Sequence, residues 1–465
     1  MIDFFSIPSY YDNMNTHSVS REVNMELLLG DLERQCQSSH HSMFCQRELA
    51  LHIDDLPVGL EGVRDGWYIH TGAEEILGLG IAKRWRLSSS SSLDSMDAER
   101  KQLLDRGLWP NSIIAGGWAF DPSGVQDHLW DSFGPSQWIL PALFIRKTAE
   151  DTRAILTLPV SNSHSVHDSG DTYANLLRFL DRPPVVQPTP QLVSASSRPS
   201  SREWIRRVEQ AIEVLKAGNM KKLVLARRVD ARFAMAPRVA DILKQLRKFN
   251  PSTTVFAIKS HGHTFLGATP EQLLQLQDKQ LRTMALAGTA PRGTSPDEDH
   301  NQIQSLLSSQ KDRREHATVV DRIGKVLRPY ADLRVPVSPQ ILSLSNVHHL
   351  WTPIEGTLRV PASLLSLSAL LHPTPAVGGE PREAALQWLK KHEGLDRGWY
   401  AGGIGFMDLA GNGSIWVSLR SALVRGFTAH CYAGCGIMRD SFPAKELVES
   451  EWKLQAMLKA LGVNN

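Results

Sequence analysis

The chain has 465 residues, 42% of them apolar, and a formal net charge of +2. That is enough apolar material for a large core, and the near balance of charge excludes the basic bias of a nucleic-acid-binding protein. Length alone would suggest about three domains.

In chain order, the N-terminus Met1-Ile2-Asp3-Phe4-Phe5 lacks the basic start and long apolar core of a signal peptide. The four cysteines, Cys36, Cys45, Cys431 and Cys435, form no CxxC pair, which predicts free thiols in a reducing cytoplasm. Ser88 to Ser92 is a polar low-complexity insert. The apolar run Trp138 to Ile145 is broken by Pro141 and is too short to cross a membrane. Asp181 to Ser201 is rich in Pro and Ser, which predicts a flexible connection or a long surface loop.

Trp204, Val208, Ile212 and Leu215 predict a helix between Ser201 and Gly218, and Leu223-Val224-Leu225 a buried strand after it. Strand alternation directs Lys222, Val224 and Ala226 to one mostly apolar side and Lys221 to the other. A strand from His263 ends near Thr269-Pro270-Glu271, where Pro270-Glu271 also resembles the first turn of a helix. Within Asn301 to Tyr330, Leu307, Glu315, Val319 and Ile323 share a helical stripe, with Asp312 one turn before Glu315. Glu315 thus occupies a place where an apolar residue is expected. Trp399 to Met407, Ser414 to Val424 and Phe427 to Gly434, separated by glycine turns, predict an antiparallel meander.

The tail carries the densest chemistry. Gly434-Cys435-Gly436 reads as a turn entering a helix whose start is marked by Ser441 and Pro443. Glu446, Glu449 and Lys453 then share a face that continues into Met457 and Leu461. Inward carboxylates are costly, and a divalent cation relieves the cost; the same spacing also fits an exposed helix with ordinary charge pairs. Two helices presenting carboxylates inward supply the hard oxygen ligands that Mg²⁺ prefers, with one direct ligand per helix the economical arrangement. Cys435, between two glycines, reads as a small buried filler.

Lys222 to Arg227, Gly267 to Glu271, Leu286-Ala287-Gly288-Thr289, Lys311 to His316, His349 to Thr352, Pro373-Thr374-Pro375-Ala376-Val377-Gly378-Gly379, Arg397-Gly398-Trp399-Tyr400-Ala401-Gly402 and the tail occur in one order. From about Ser201 onward this order resembles that of the chorismate-utilising enzymes, and within them the isochorismate synthases. The resemblance implies one α+β unit, with large antiparallel β-sheets packed as a sandwich and helices outside. Residues 1–200 would form its N-terminal part and 201–465 the chorismate-binding catalytic region.

It further implies Lys222 as the base that activates water, since ammonia-adding relatives such as anthranilate synthases typically lack lysine there. Burial and a nearby metal would lower its pKa. Glu271 becomes the acid that protonates the departing C4 hydroxyl, which requires a raised pKa. By resemblance, Glu315 and Glu449 would hold Mg²⁺, with Asp312 and Glu446 gripping its waters. Gly288 and Thr289 would lie under the ring carboxylate and His349 near the pyruvyl group. Arg420, Lys453, Tyr400 and the backbone N–H groups at Gly434 to Gly436 suit the enolpyruvyl carboxylate. A cytoplasmic monomer acting on chorismate, bound to neither nucleic acid nor membrane, is expected. Salicylate synthase, which also expels pyruvate, and a siderophore-pathway isochorismate synthase remain alternatives. The region containing Gly66 to His70 and Leu77 to Gly80 resembles the longer menaquinone-type synthases.

Overall fold

In the computed structural model the described residues are 44–49, 53, 55–88, 92–124, 127–159 and 188–463. Their strands form a twelve-stranded and a ten-stranded sheet, and every pairing between them is antiparallel. Strands from early and late in the chain share both sheets. Gly66–His70 pairs with Thr254–Ser260 in the first, and Ile113–Trp118 pairs with Gly403–Asp408 in the second. One apolar cluster, with Trp118, Trp138, Phe265, Trp399 and Ile404, joins the two sheets. A second lies on the first sheet beneath the helices Val239–Phe249 and Pro443–Ala460. The fold is therefore an α+β sandwich of antiparallel sheets with helices outside. No described helix is long and apolar enough to cross a membrane.

Several elements depart from the sequence expectations. Ser414 to Val424 is two strands in different sheets: Gly413–Val417 belongs to the second and Ser421–Arg425 to the first. Ser418 Oγ donates to the carbonyls of Trp399 at 2.5 Å and Gly402 at 3.1 Å, which anchors the chain where it turns between sheets. Alternation alone cannot say to which sheet a strand belongs, so the expected meander is instead two hairpins in two layers. The preceding strand begins only at Gly403, because Arg397 to Gly402 is closed by turns from Tyr400 N–H to Arg397 O and from Gly402 N–H to Trp399 O.

Gly434 to Gly436 is not a turn but part of the strand Thr428–Ile437, paired with Lys222–Phe233. The terminal helix begins at Pro443 as expected, yet Ser441 does not cap it; its hydroxyl accepts from Met438 N–H at 3.0 Å. The Asn301 to Tyr330 pattern is two helices, Pro296–Ser308 and Gln310–Leu327, so Leu307 is not on the helix of Glu315. Ser309 makes the break by accepting from Asp312 N–H at 3.2 Å as the cap of the second helix. Part of the Pro/Ser-rich stretch is an edge strand, Leu192–Arg198, on Lys222–Phe233. Cys431 and Cys435 are free, but Cys45 is disulfide-bonded, against the expectation of free thiols throughout. Cys36, the first five residues and 89–91 of the serine insert lie outside the described residues.

Candidate active site

Two neighbouring crossings between the sheets build one wall of a cavity. His263–Thr269 runs in the first sheet and Gln272–Gln277 in the second, with Pro270-Glu271 between them. Ser418 to Arg420 makes the parallel step from Gly413–Val417 to Ser421–Arg425. The crossings are tied together by Val417 N–H to Glu271 O at 3.0 Å and Ala268 N–H to Arg420 O at 3.1 Å. Arg420 adopts φ +49, a left-handed conformation that a non-glycine residue holds only when its surroundings enforce it. The helix-like reading of Pro270-Glu271 is thereby replaced by a strand crossing.

Glu271 is buried, and burial raises its carboxyl to about 7 against the opposing charges of Lys222, Arg420 and Lys453. It therefore retains a proton near neutrality, as a general acid must. The Thr374 hydroxyl donates to it.

His349 is placed by a β-bulge. The strand Gln280–Pro291 shifts register between Ala287 and Thr289 opposite Val347–Leu358, and Gly288 takes φ +80 in the shift. A Cβ there would lie 3.1 Å from that of Asp312. His349 Nδ1 is 3.1 Å from both Gly288 O and Thr289 Oγ1, and Nε2 is 3.1 Å from Arg420 Nη2. Arginine can only donate, so Nε2 accepts and Nδ1 carries the proton. Burial, then Arg420 and Lys453, hold the imidazole well below its usual range, hence neutral.

The opposite wall is helical. Glu315, on Gln310–Leu327, lies 2.8 Å from Lys222 Nζ, in a charge contact whose angles are not those of a hydrogen bond. Lys222 is fully buried behind Glu315. Burial would raise the Glu315 carboxyl, but Lys222, Lys311 and Lys453 together hold it below its usual value. Glu446 and Glu449, one turn apart on Pro443–Ala460, pair with Lys311 at 2.9 Å and Lys453 at 2.6 Å. Lys453 Nζ also donates to Gly434 O at 3.0 Å. Gly436 leaves room for this pair: a Cβ there would stand 2.3 Å from Glu315 Oε1 and 3.0 Å from Lys222 Cε, so a side chain would displace their ends.

With Asp312, this wall sets four carboxyls against three paired lysines. Burial and then Glu449 raise Glu446, burial raises Asp312, and Glu446 Oε2 is buried without a hydrogen-bond partner. Oxygens of Glu446 and Glu449 and the Cys435 sulfur lie within 4.8 Å of one another. The Cys435 thiol itself donates to Glu446 O at 3.2 Å, in keeping with a buried filler. A set dominated by carboxylates fits a hard divalent cation such as Mg²⁺.

The cavity between the walls spans about 660 Å³ counted out to open solvent, and Glu271, Gly288, Thr289, Glu315, His349, Tyr400, Arg420, Gly434, Gly436 and Lys453 all line it. Lys222, Asp312, Glu446 and Glu449 do not line it; Lys222 reaches it through Glu315, and Glu449 through Lys453. Tyr400 stacks on Tyr432 with ring centroids 5.2 Å apart, and burial pushes its hydroxyl up to about 12. The Ser421–Arg425 strand pairs with Thr428–Ile437 only as far as Cys431. Beyond that point the edge carrying Gly434 and Gly436 is not covered by it. Four contributors escaped the sequence reading: Thr374, Arg397, Tyr432 and Lys311. The first, second and fourth fall inside motifs whose order was visible, but nothing in a motif says which of its polar groups turns inward.

The sequence model for chorismate binding enzymes matches residues 59–462. The chain is 36% identical to the salicylate biosynthesis isochorismate synthase of Pseudomonas aeruginosa over 84% of this chain and 81% of that protein. It is 34% identical to isochorismate synthase MenF of Bacillus subtilis over 78% of this chain and 77% of that protein. The solved structure of the menaquinone-specific isochorismate synthase MenF from Escherichia coli superposes with a TM-score of 0.78 at 28% identity, covering 94% of this chain and all of that one. The chain belongs to the chorismate-binding enzyme family.

Proposed function

We propose that this protein is a Mg²⁺-dependent isochorismate synthase, an isomerase that adds water at C2 of chorismate and releases the C4 hydroxyl, serving menaquinone synthesis. The observation that carries the reading is the pairing of opposites across one cavity: a buried acid raised to about 7, Glu271, and a buried lysine, Lys222, behind the acidic helical wall. The solved structure named as a menaquinone-specific isochorismate synthase, MenF, matches over most of the chain, and a sequence relative carrying the same name MenF covers 78% of it, which supports that pathway.

When bound by Glu315 and Glu449, with Asp312 and Glu446 around them, Mg²⁺ would supply positive charge for the ring carboxylate. Lys222, once Glu315 has released it, serves as the base that takes a proton from water. The water oxygen bonds to C2, both ring double bonds shift by one position (C1=C2 to C1=C6 and C5=C6 to C4=C5), and the C4–O bond breaks as Glu271 delivers its proton to the leaving hydroxyl. One proton enters Lys222 and one leaves Glu271, so the reaction is balanced. Arg420, Lys453, Tyr400 and the uncovered edge at Gly434 and Gly436 offer donors to the enolpyruvyl carboxylate. Neutral His349, its Nε2 engaged by Arg420, keeps that guanidinium aimed into the cavity.

Chromatographic analysis of products from chorismate and Mg²⁺ tests the reading. Isochorismate alone is the expected product; salicylate with pyruvate would make the protein a salicylate synthase, and no turnover would overturn the assignment. Restoration of menaquinone in cells lacking their own synthase tests the pathway.

A further inference from the structure

Arg397 stands on the cavity wall, yet four of its five N–H donors are spent on the protein. Nε and Nη2 grip the Glu393 carboxylate at 2.7 and 2.6 Å. Nη1 donates to Val377 O at 2.8 Å and Nη2 also to Val224 O at 2.5 Å. Glu393 Oε1 in turn accepts from Ala226 N–H at 2.8 Å. Both residues are buried, and the guanidinium carbon lies 4.1 Å from the centroid of the Phe120 ring.

These bonds join three segments at one guanidinium: the strand that begins at Lys222, the loop 373–379, and the turn leading to Tyr400. The ladder between the first two is short, with Lys222 opposite Glu380 and Leu223 opposite Gly379, flanked by Lys221 N–H to Glu380 O at 2.7 Å and Val224 N–H to Gly378 O at 3.0 Å. Two residue pairs do little to fix the separation of a strand and a loop. The same loop carries Thr374, whose hydroxyl meets Glu271.

We infer that the Glu393–Arg397 ion pair is the positioning element that sets the separation of Lys222 and Glu271, by holding the Val224 and Val377 carbonyls on one rigid guanidinium. The inference rests on the reading of Lys222 as base and Glu271 as acid. Neither Glu393 nor Arg397 touches reacting atoms; they act through the segments they bind. Lysine cannot replace the arginine, because its three donors radiate from one atom whereas these acceptors lie along different edges of a plane.

The test compares Arg397→Lys and Glu393→Gln with the native enzyme, on chorismate and Mg²⁺, with the folded fraction measured by circular dichroism. In Arg397→Lys, kcat per folded molecule should fall about 10²-fold, as for a misplacement near 1 Å, while KM stays within about threefold. Glu393→Gln should show the same split to a smaller extent. The limb of the pH profile assigned to Glu271 should move to higher pH, because the Thr374 hydroxyl that lowers its pKa is withdrawn while Lys222, Arg420 and Lys453 still face it. A native kcat per folded molecule with only a lower melting temperature would overturn the inference and leave the pair a brace. Should Arg397→Lys fail to fold, Glu393→Gln decides on the same criteria. Lys222→Ala and Glu271→Gln are assayed alongside: retained turnover in either overturns the acid–base reading and the inference with it. Loss in both with full turnover in Arg397→Lys overturns the inference alone.

Discussion

On the acid wall of the cavity, Glu271 and Arg420 are placed by backbone, at paired crossings between sheets, and His349 by a bulge opposite Gly288. On the helical wall, Glu315, Glu446 and Glu449 are each matched by a lysine, Lys222, Lys311 and Lys453. The first wall is rigid because moving any group means breaking sheet hydrogen bonds. The second is a set of charges that can exchange partners without moving a helix. A proton donor needs fixed geometry toward one leaving group, whereas a cation site must accept and release its charge, so the two constructions suit their proposed tasks.

The largest effect should come from the lysine that pairs with the helical wall and whose charge is also felt at Glu271. Lys222→Ala is expected to cut turnover by up to about 10⁴-fold, the upper range for general acid–base groups. It also strands Glu315, so the protein in chelator should lose about 3–5 kcal/mol of stability, as when one member of a buried pair is removed. Added Mg²⁺ should restore much of that loss; denaturant titrations with and without metal measure it. If metal made no difference, the helical wall would not be exchanging charge partners.

Glu271→Gln should lower kcat by about 10²–10⁴-fold with little change in KM. The native rate should decline as pH rises through about 7, where Glu271 loses its proton, and the variant should lack that limb. The stability sign is opposite to that of a paired carboxylate. The folded Glu271 keeps a proton that the unfolded chain releases, so its contribution worsens as pH rises from the unfolded value toward about 7. Glu271→Gln should therefore gain stability relative to the native protein across that window. A parallel pair of stability–pH curves would show the carboxyl is not buried in solution.

Glu315→Gln and Glu449→Gln should each weaken Mg²⁺ binding strongly, because amides are poor substitutes for carboxylates around a hard cation. Asp312→Asn and Glu446→Gln should cost less, about 10–100-fold in metal affinity. Titration calorimetry with Mg²⁺ ranks them, and an inverted order would reassign the direct ligands to Asp312 and Glu446. The smallest effect belongs to Lys221→Ala: Lys221 is exposed at the mouth of the same strand, and steady-state kinetics should be nearly native. Equal losses in the Lys221 and Lys222 variants would break the distinction between the two faces of the strand.

Much of the helical wall was legible in the sequence, because a charged residue at a core position of a helical stripe, as at Glu315, is a local signal. The i, i+3 and i+7 spacing of Glu446, Glu449 and Lys453 was readable for the same reason, as was the inward side of Lys222. The acid wall was less so. Its geometry depends on which sheet a strand joins, and neither Gly413–Val417 nor Ser421–Arg425 differs from its neighbour in periodicity. Gly434-Cys435-Gly436 was misread because glycines marking a close approach to Glu315 look the same in sequence as glycines marking a turn. The charge partners were also hidden, since Lys311 and Glu446 meet across 135 residues.

The paired crossings at Glu271 and Arg420 carry a consequence for how the chain reaches its working form. A strand can join either sheet early, but the Glu271 carboxyl is shielded from water only when both layers have closed over it. A half-assembled molecule would present an ordinary carboxylate, ionised at neutral pH and unable to donate. Long-range closure of this kind comes late in assembly because its entropic cost precedes its reward. During refolding, recovery of turnover should consequently lag behind recovery of strand content, so that catalysis reports the docking of the two sheets and not the formation of either.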